Sequence, residues 1–412
     1  MKKFVINNLN NNKKTFAIIL LKIKNKILLG AFYFLFINFQ NKNNIFINCL
    51  SSNNSVNTDF INNSFFLNLD SLLIFLFPLI FLLPALILCI AIYTYAERKG
   101  LASIQKRKGP NIVGFLGLGQ PFADGIKLFL KEHTLPAKSD KAIFIIAPVI
   151  AFLLSLSAWT LIPIFKFGII IHSDIGLLLI FGFSSVSVYG VILAGWASNS
   201  QYAMLGALRA TAQLLSYEIV LSLTLLPIIF SANSLDLSKI IWAQIWHGWY
   251  IIGFMPSLIL FSITAVAETN RPPFDLPEAE AELVAGYFVE YSAMSFALFF
   301  LSEYAHMILM SHIIVIFFLG GWSLPFNWSN ANLGLFPPFF YFYNEATFYI
   351  IKLFFTFFYF IWLRGTLPRF RYDQLMALGW KVMLPISFVW VVYSILILFA
   401  FGLNKGSAVP FW

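Results

Sequence analysis

Acidic side chains are concentrated in one short stretch of this 412-residue sequence, residues 267–307. An ionised carboxylate inside a membrane costs about 2.5–3.5 kcal/mol on insertion scales, so acids retained in apolar surroundings indicate a function. Carboxylic acids whose environment moves their titration toward neutral pH can relay protons. The stretch contains seven of the 18 acidic residues of the chain, namely Glu268, Asp275, Glu278, Glu280, Glu282, Glu290 and Glu303.

Some of these acids also have a simpler structural explanation. A solvated loop between two membrane spans would account for residues 268–282, and acids near Pro277 would suit the first turn of a helix. That explanation does not cover Glu290 and Glu303, which we expect inside the apolar run that follows. Glu303 and His306 are three residues apart, so they are close enough on a helix to pair or to exchange a proton.

Glu218 is a further candidate, because we expect it inside a membrane span at residues 213–230. The alternative is a purely structural acid that is hydrogen-bonded locally, and we favour a function in proton transfer. Arg209 lies nine residues earlier, which is about 180° around a helix of 3.6 residues per turn. The partner of Glu218 must therefore come from another part of the chain.

The elements that position these acids are membrane helices, because 59% of the residues are hydrophobic and the mean hydropathy is +0.81. We therefore predict an all-α polytopic membrane protein with about eight spans, each needing about 20 apolar residues. An amphipathic helix at residues 122–131 should lie in the membrane interface. The predicted spans are residues 71–96, 142–165, 175–197, 213–230, 250–267, 283–307, 346–363 and 382–403.

The basic residues indicate how the spans are oriented. With eight spans, the connections after the first, third, fifth and seventh carry most of the lysines and arginines, including Lys106, Arg209, Arg271 and Arg371. The positive-inside rule places this face, and the acidic stretch with it, on the cytoplasmic or matrix side. The net charge of +9 therefore reflects an unequal distribution of lysine and arginine between the two membrane faces, and it does not indicate affinity for nucleic acid.

Two regions have a different character. Residues 1–70 form an Asn- and Lys-rich extension that precedes the transmembrane domain of residues 71–412, and the apolar piece at 27–39 is either an interfacial helix or an extra span. Residues 310–342 are apolar but interrupted by Gly320, Gly321 and several prolines, which predicts a long loop or a re-entrant segment.

The sequence offers no means of binding a redox group. Cys49 and Cys89 are too few and too far apart for an iron–sulfur cluster or a structural zinc, and the histidines lack metal-ligand spacing. We find no motif for nucleotide binding and no signature of a hydrolase. We therefore expect no flavin, cluster or metal to be bound by this chain.

Several motifs resemble subunit 1 of NADH:ubiquinone oxidoreductase (respiratory complex I), which is called the H subunit in bacteria. The resemblance extends from residue 71 to about residue 403, and residues 1–70 resemble nothing in that family. The motifs are AERKGLASIQKRKGPN, GLGQPFADGIKLFLKE, GWASNSQYAMLGALRATAQLLSYE, AETNRPPFDLPEAEAELVAGYFVEYSAM, LFFLSEYAHM, FLGGW and RGTLPRFRYDQLMALGWKVMLP.

The resemblance implies a role at the membrane end of a ubiquinone chamber, with ubiquinone as substrate. It also implies partners: peripheral-arm subunits that carry the iron–sulfur clusters and the quinone site, antiporter-like membrane subunits, and the lipids of a mitochondrial inner membrane or bacterial plasma membrane. By motif, the residues at the quinone entry would be Arg98, Arg271, Asp275 and Arg364. The proton path would use Glu218, Glu268, Glu278, Glu280, Glu282, Glu290 and Glu303.

Two other classes remain open at this point. One is the related membrane subunit of a membrane-bound hydrogenase, which uses similar acidic spans. The other is a stand-alone secondary transporter, although such transporters are often built from repeats and we see none. The subunits that co-purify with the chain would distinguish the three classes.

Overall fold

The computed structural model describes residues 69–164, 171, 173–275, 286–323 and 338–400, and every regular element among them is helical. Short 3₁₀ turns at Phe115–Gly117 and Gly286–Phe288 and a π-helical turn at Leu378–Met383 supplement the α-helices. The α-helices are α1 Leu69–Ile104, α2 Gln120–Leu130, α3 Lys141–Trp159, α4 Gly176–Ala197, α5 Gln201–Ala232, α6 Leu237–His247, α7 Tyr250–Gly253, α8 Met255–Glu268, α9 Ala293–Phe318, α10 Pro338–Thr366, α11 Tyr372–Ala377 and α12 Leu384–Ala400.

Six helical segments of the described chain are long and apolar enough to cross a membrane. They are α3, α4, α5, α9, the part of α10 from residue 346, and the continuous run from α11 to α12. Helix α8 is apolar but shorter, with 14 residues, and α1 has 36 residues and covers the first predicted span. The prediction of an all-α, multi-pass membrane protein is confirmed.

Helix α9 lies at the centre of the bundle. In its most apolar window 78% of the residues are buried, whereas the next highest value is 44%, in α5. Helices α10 and α12 instead expose large apolar side chains such as Phe354, Phe355 and Val389. Exposed apolar surface of this kind is solvated by lipid chains in a membrane protein. Most residues in this window of α9 are therefore shielded from lipid by the surrounding helices.

Small residues allow α3, α4 and α5 to approach closely. A Cβ atom added to Gly190 of α4 would lie 3.0 Å from the Cβ of Ala151 in α3. A Cβ atom added to Gly195 would lie 2.3 Å from the Cβ of Ala207 in α5. Membrane helices commonly use small residues in this way, since dispersion contacts and hydrogen bonds hold them together. The close packing aligns α4 with α5 at the level of Glu218.

The contacts between connections agree with the predicted sidedness. At one end of the bundle, the amide of Phe370 donates to the carbonyl of Pro273 (3.0 Å), and the Arg209 guanidinium lies 5.7 Å from the centroid of the Tyr372 ring. At the other end, Lys239 pairs with Asp174 at 2.8 Å. The basic connections that precede α5, follow α8 and follow α10 therefore meet at the same end.

Several predicted boundaries were wrong. The span predicted at 283–307 begins at Ala293 and continues to Phe318, so part of the predicted loop at 310–342 is helix. Gly320 and Gly321 end this helix with φ angles of 71° and 55°, a left-handed conformation that glycine adopts at little cost. Helix α10 already begins at Pro338, and residues 324–337 lie outside the described chain.

Three further spans also differ from prediction. The span at 250–267 is interrupted at Phe254, between α7 and α8, and the span at 213–230 is extended in both directions as α5. The last span begins earlier, at Tyr372, with a π-helical turn between α11 and α12. Residues 1–68, and with them nearly all of the predicted extension, lie outside the described chain.

The predicted interfacial helix is present as α2. Its apolar side chains Phe122, Ile126 and Phe129 are exposed on one face, as expected for a helix that lies in a membrane surface. Asp124, on the polar side, pairs with Arg98 of α1 at 2.7 Å. This ion pair ties α2 to α1 at the end of its predicted span.

Candidate functional site

The structure buries two groups of polar side chains that differ in chemistry. The first, which we call the arginine cluster, consists of Glu97, Arg271, Tyr304 and Arg364. Arg364 forms an ion pair with Glu97, and the Tyr304 hydroxyl donates a hydrogen bond to the same carboxylate at 2.6 Å. The Arg271 guanidinium stacks on Tyr304, 4.1 Å from the ring centroid. With one carboxylate and two guanidinium groups, the cluster has a net positive charge.

Four separate elements build the arginine cluster. Helix α1 continues past Glu97 to Ile104, and Glu97 is 4% exposed. Arg364 lies in the last turn of α10, where a cation is favourable for the helix dipole. Tyr304 comes from the central helix α9, and Arg271 follows the end of α8. A buried guanidinium pair of this kind is suited to binding a polar head group that carries oxygen atoms.

Two residues predicted at the quinone entry lie outside the arginine cluster. Arg98 is half-exposed and pairs with Asp124 of α2. Asp275 is buried and lies 3.5 Å from Arg369, measured between carboxylate oxygen and guanidinium nitrogen. Of the four predicted residues, the structure therefore brings Arg271 and Arg364 together and places Arg98 and Asp275 in ion pairs outside the arginine cluster.

The second group, which we call the carboxylate cavity, consists of Glu218, Glu268, Glu303 and His306. These side chains line a cavity of about 80 Å³, which is large enough for several water molecules. Glu218 comes from α5, Glu268 from the last residue of α8, and Glu303 and His306 from α9. The described residues that line the cavity include no lysine or arginine.

The cavity carboxylates are met by hydroxyl groups and by a histidine. Glu218 accepts hydrogen bonds from Ser184 (3.2 Å) and Ser185, both on α4. The hydroxyl of Tyr287 donates to Glu303 at 2.9 Å. Arg209 lies on the opposite side of the helix, so we expect the partner of Glu218 to come from another element. The two serines of α4 are such partners.

Glu268 has a different partner. Its Oε1 atom lies 3.3 Å from Nε2 of His306, and its side chain is 4% exposed. Its Oε2 atom is buried and has no hydrogen-bond partner among the described residues. The sequence suggested a pair between His306 and Glu303, whereas the pair that the structure shows joins His306 to Glu268. Within the part of the chain that the structure describes, the Glu268 carboxylate thus has a polar partner at Oε1 only.

The remaining predicted acids are not part of this cavity as described. Glu290 lies before α9 and not inside a span, and it is partly exposed. The prediction that it is embedded in the apolar run is wrong, because the run becomes helical only at Ala293. Glu278, Glu280 and Glu282 lie outside the described residues.

Sequence reasoning missed Glu97 and Lys352. Glu97 directly follows the first predicted span. The absence of proline between Glu97 and Pro110 is the signal that the helix can continue past this residue. Lys352 is the only basic residue within the apolar run 346–363. Its ammonium group donates to the carbonyl groups of Leu319 (2.7 Å), Gly321 (2.9 Å) and Ser323 (2.6 Å), and it therefore caps the far end of α9.

Comparison with known proteins identifies the family. A sequence model described as NADH dehydrogenase matches residues 77–395. Three similar relatives are each named as the H subunit of NADH-quinone oxidoreductase. The protein of Paramagnetospirillum magneticum is 49% identical over 80% of this chain and 94% of its own length. The proteins of Rhodospirillum rubrum and Rickettsia peacockii are 51% and 53% identical, each over 74% of this chain and 88% of their length. This chain belongs to the NADH dehydrogenase family of membrane subunits.

Proposed function

We propose that the chain is the membrane subunit of a proton-pumping NADH:ubiquinone oxidoreductase that couples ubiquinone reduction to proton movement. The arginine cluster would form the membrane end of the ubiquinone chamber, and the carboxylate cavity would begin the proton path. NADH, flavin and iron–sulfur clusters would be bound by peripheral-arm subunits. The proton path would continue toward antiporter-like membrane subunits. The membrane would be the mitochondrial inner membrane or a bacterial plasma membrane.

One observation carries this proposal: acids from α5, α8 and α9 converge on a single cavity whose described lining contains no lysine or arginine. Burying a carboxylate without a permanent cation beside it is costly, so such an arrangement indicates that the acids have a function. A purely structural acid would instead be expected beside a permanent cation, as Glu97 is beside Arg364. The cavity is therefore suited to taking up and releasing protons.

The two groups share short segments of chain, which supports a coupling between them. Glu268 and Arg271 are three positions apart at the end of α8, and Tyr304 lies between Glu303 and His306 on α9. Successive residues of a helix are about 100° apart, so adjacent positions of α9 serve different groups. A change of charge at the arginine cluster during quinone reduction would thus act on the carboxylates over a short distance.

The proposal is tested with Glu218→Gln in membranes that carry the assembled complex. The substitution keeps the shape of the side chain and removes its ability to titrate. We expect the NADH-to-ubiquinone rate per assembled complex to fall by about 100-fold. Proton pumping in sealed vesicles should fall in parallel, whereas NADH oxidation by a hydrophilic acceptor should be unchanged.

Two matched variants complete the experiment. Glu218→Asp retains a titratable group and should give an intermediate rate. Glu132→Gln makes the same substitution at an exposed carboxylate and should behave as the wild type. Wild-type turnover and pumping in Glu218→Gln would overturn the proposal and leave Glu218 as a structural acid.

A further inference from the structure

We infer that His306 is a proton-carrying residue of the carboxylate cavity and links Glu268 to the acids on α5 and α9; this inference rests on the proposed function. The family motifs assign no role to this position. Glu268 is the most deeply buried of the three described acids, and its Oε1 atom contacts the imidazole of His306. A proton that enters or leaves Oε1 of Glu268 can therefore be exchanged directly with the imidazole ring.

The chemistry of imidazole suits this position. An imidazole can accept a proton at one nitrogen and release another from the second nitrogen, and it titrates close to neutral pH. His306 lines the cavity and its side chain is 20% exposed, compared with 4% for Glu268. The ring thus lies between a buried carboxylate and a space that accommodates water.

Every titratable group that faces His306 from the described lining is acidic. Glu268 contributes from α8, Glu218 from α5, Tyr287 from the turn before α9, and Glu303 from α9 itself. Helices α3 and α4 contribute serines and apolar side chains. Glu218 interacts electrostatically with both Glu268 and His306. Protonation of His306 would therefore supply the only positive charge of the described cavity lining.

The transfer can be written as a balanced step without any redox partner. The bond between Nε2 of the imidazolium and its proton breaks, and an O–H bond forms at Oε1 of the Glu268 carboxylate. The products are neutral imidazole and a neutral carboxylic acid. The imidazole then regains a proton from Glu218 or Glu303 through cavity water, which returns the negative charge to that acid.

The test is His306→Asn in the assembled complex, measured as NADH-to-ubiquinone turnover between about pH 5 and pH 8. The amide of asparagine can donate a hydrogen bond toward Glu268 but cannot titrate. We expect turnover to fall by about tenfold at neutral pH, with an unchanged KM for the quinone. We also expect the ratio of wild-type to variant turnover to change across this pH range, because only the wild type has a side chain at this position that can bind and release a proton.

Several outcomes would overturn the inference. An unchanged rate, or a rate lowered by the same factor at every pH, would show that His306 only positions Glu268. If His306→Asn and His306→Gln both fail to assemble, infrared difference spectra of the wild-type complex upon quinone reduction decide the question. Imidazole ring bands in these spectra support proton transfer by histidine, and their absence overturns it.

The inference and the proposed function fail in different ways. Loss of turnover in Glu218→Gln together with a pH-independent effect of His306→Asn would overturn only the role of His306. Wild-type behaviour of Glu218→Gln would overturn the proposed function itself. Loss of turnover in both variants, with a pH-dependent ratio for His306→Asn, supports both.

Discussion

The arginine cluster and the carboxylate cavity are two solutions to the burial of acids in a membrane protein. In the arginine cluster, Glu97 is held by the permanent charge of Arg364 and by a hydrogen bond from Tyr304. In the carboxylate cavity, Glu218 is met by the hydroxyl groups of Ser184 and Ser185. Guanidinium groups do not lose their proton in proteins, whereas hydroxyl partners can serve either the charged or the neutral carboxyl group.

Burial alone therefore does not identify a proton-carrying acid. Glu97 and Glu268 are almost equally buried, at 4% and 5% exposure. What differs is the partner, because a fixed cation stabilises one charge state while a histidine leaves both states accessible. We expect substitutions in the arginine cluster to affect stability and quinone binding, and those in the cavity to affect turnover.

The largest expected effect is on stability, from Arg364→Met. Removing one partner of a buried ion pair costs up to about 3–5 kcal/mol, and here Arg271 and the hydroxyl of Tyr304 compensate only part of the charge that remains on Glu97. We expect little assembled complex on native gels, and a double variant Glu97→Gln/Arg364→Met that recovers part of it. As a control, Lys239→Met removes an exposed pair at the other end of the bundle and should cost less than about 1 kcal/mol. Equal losses for Arg364→Met and Lys239→Met would contradict the distinction between the two groups.

The next effect concerns the quinone. Arg271 is 4% exposed and stacks on Tyr304, so Arg271→Ala removes both a charge and a flat contact from the arginine cluster. We expect the NADH-to-ubiquinone rate to fall by about tenfold or more, since a desolvated cationic contact is worth about 2 kcal/mol. Arg271→Lys retains the charge and should lose less. NADH oxidation by a hydrophilic acceptor serves as the reference, and an equal loss of both activities would mean that the substitution only disrupts assembly.

The smallest effect is expected from Ser185→Ala in the carboxylate cavity. Its hydroxyl donates to Glu218, and hydrogen bonds to charged groups contribute about 1.5–3 kcal/mol. Ser184 still donates to the same carboxylate, so we expect quinone-linked turnover to fall by roughly three- to fivefold. Ser187 is the matched control, because it lines the same cavity on α4 but donates to the backbone carbonyl of Ser184. Identical rates for Ser185→Ala and Ser187→Ala would show that this hydrogen bond does not contribute to the function of Glu218.

The helices, and the grouping of the basic connections at one end of the bundle, could be predicted from the sequence because both depend on local composition. Apolar runs of about 20 residues and the asymmetry of lysine and arginine are visible without knowing any contact. Glu218 and Glu303 could be proposed as candidates for the same reason, because a carboxylate in an apolar run is costly wherever it occurs, whereas the sequence around Glu268 also fits a solvated loop. The predicted span ends too early, at residue 307, because Gly320 and Gly321 made the region from residue 310 look like a loop. In the structure these glycines only end α9, which is continuous up to Phe318.

The partners could not be predicted, because they depend on how distant helices pack. Glu97 follows an apolar run and precedes Arg98 and Lys99, so by local sequence it has the features of a residue at the membrane surface. Only the packing of α9 and α10 against α1 makes it a buried acid. The pair between His306 and Glu268 was missed for a similar reason, since periodicity points to neighbours on the same helix and not to neighbours across helices.

The distance in sequence between Glu97 and Arg364 has a consequence for the synthesis of the protein. The two residues are 267 positions apart, and a ribosome that adds about 5–20 residues per second needs tens of seconds to bridge that interval. Throughout that time α1 holds a carboxylate whose cation has not yet been made. Glu97 lies near the end of α1, where water at the membrane boundary can hydrate it until α10 arrives. The ion pair therefore cannot direct the insertion of the first helix, and it can form only after α10 has been made.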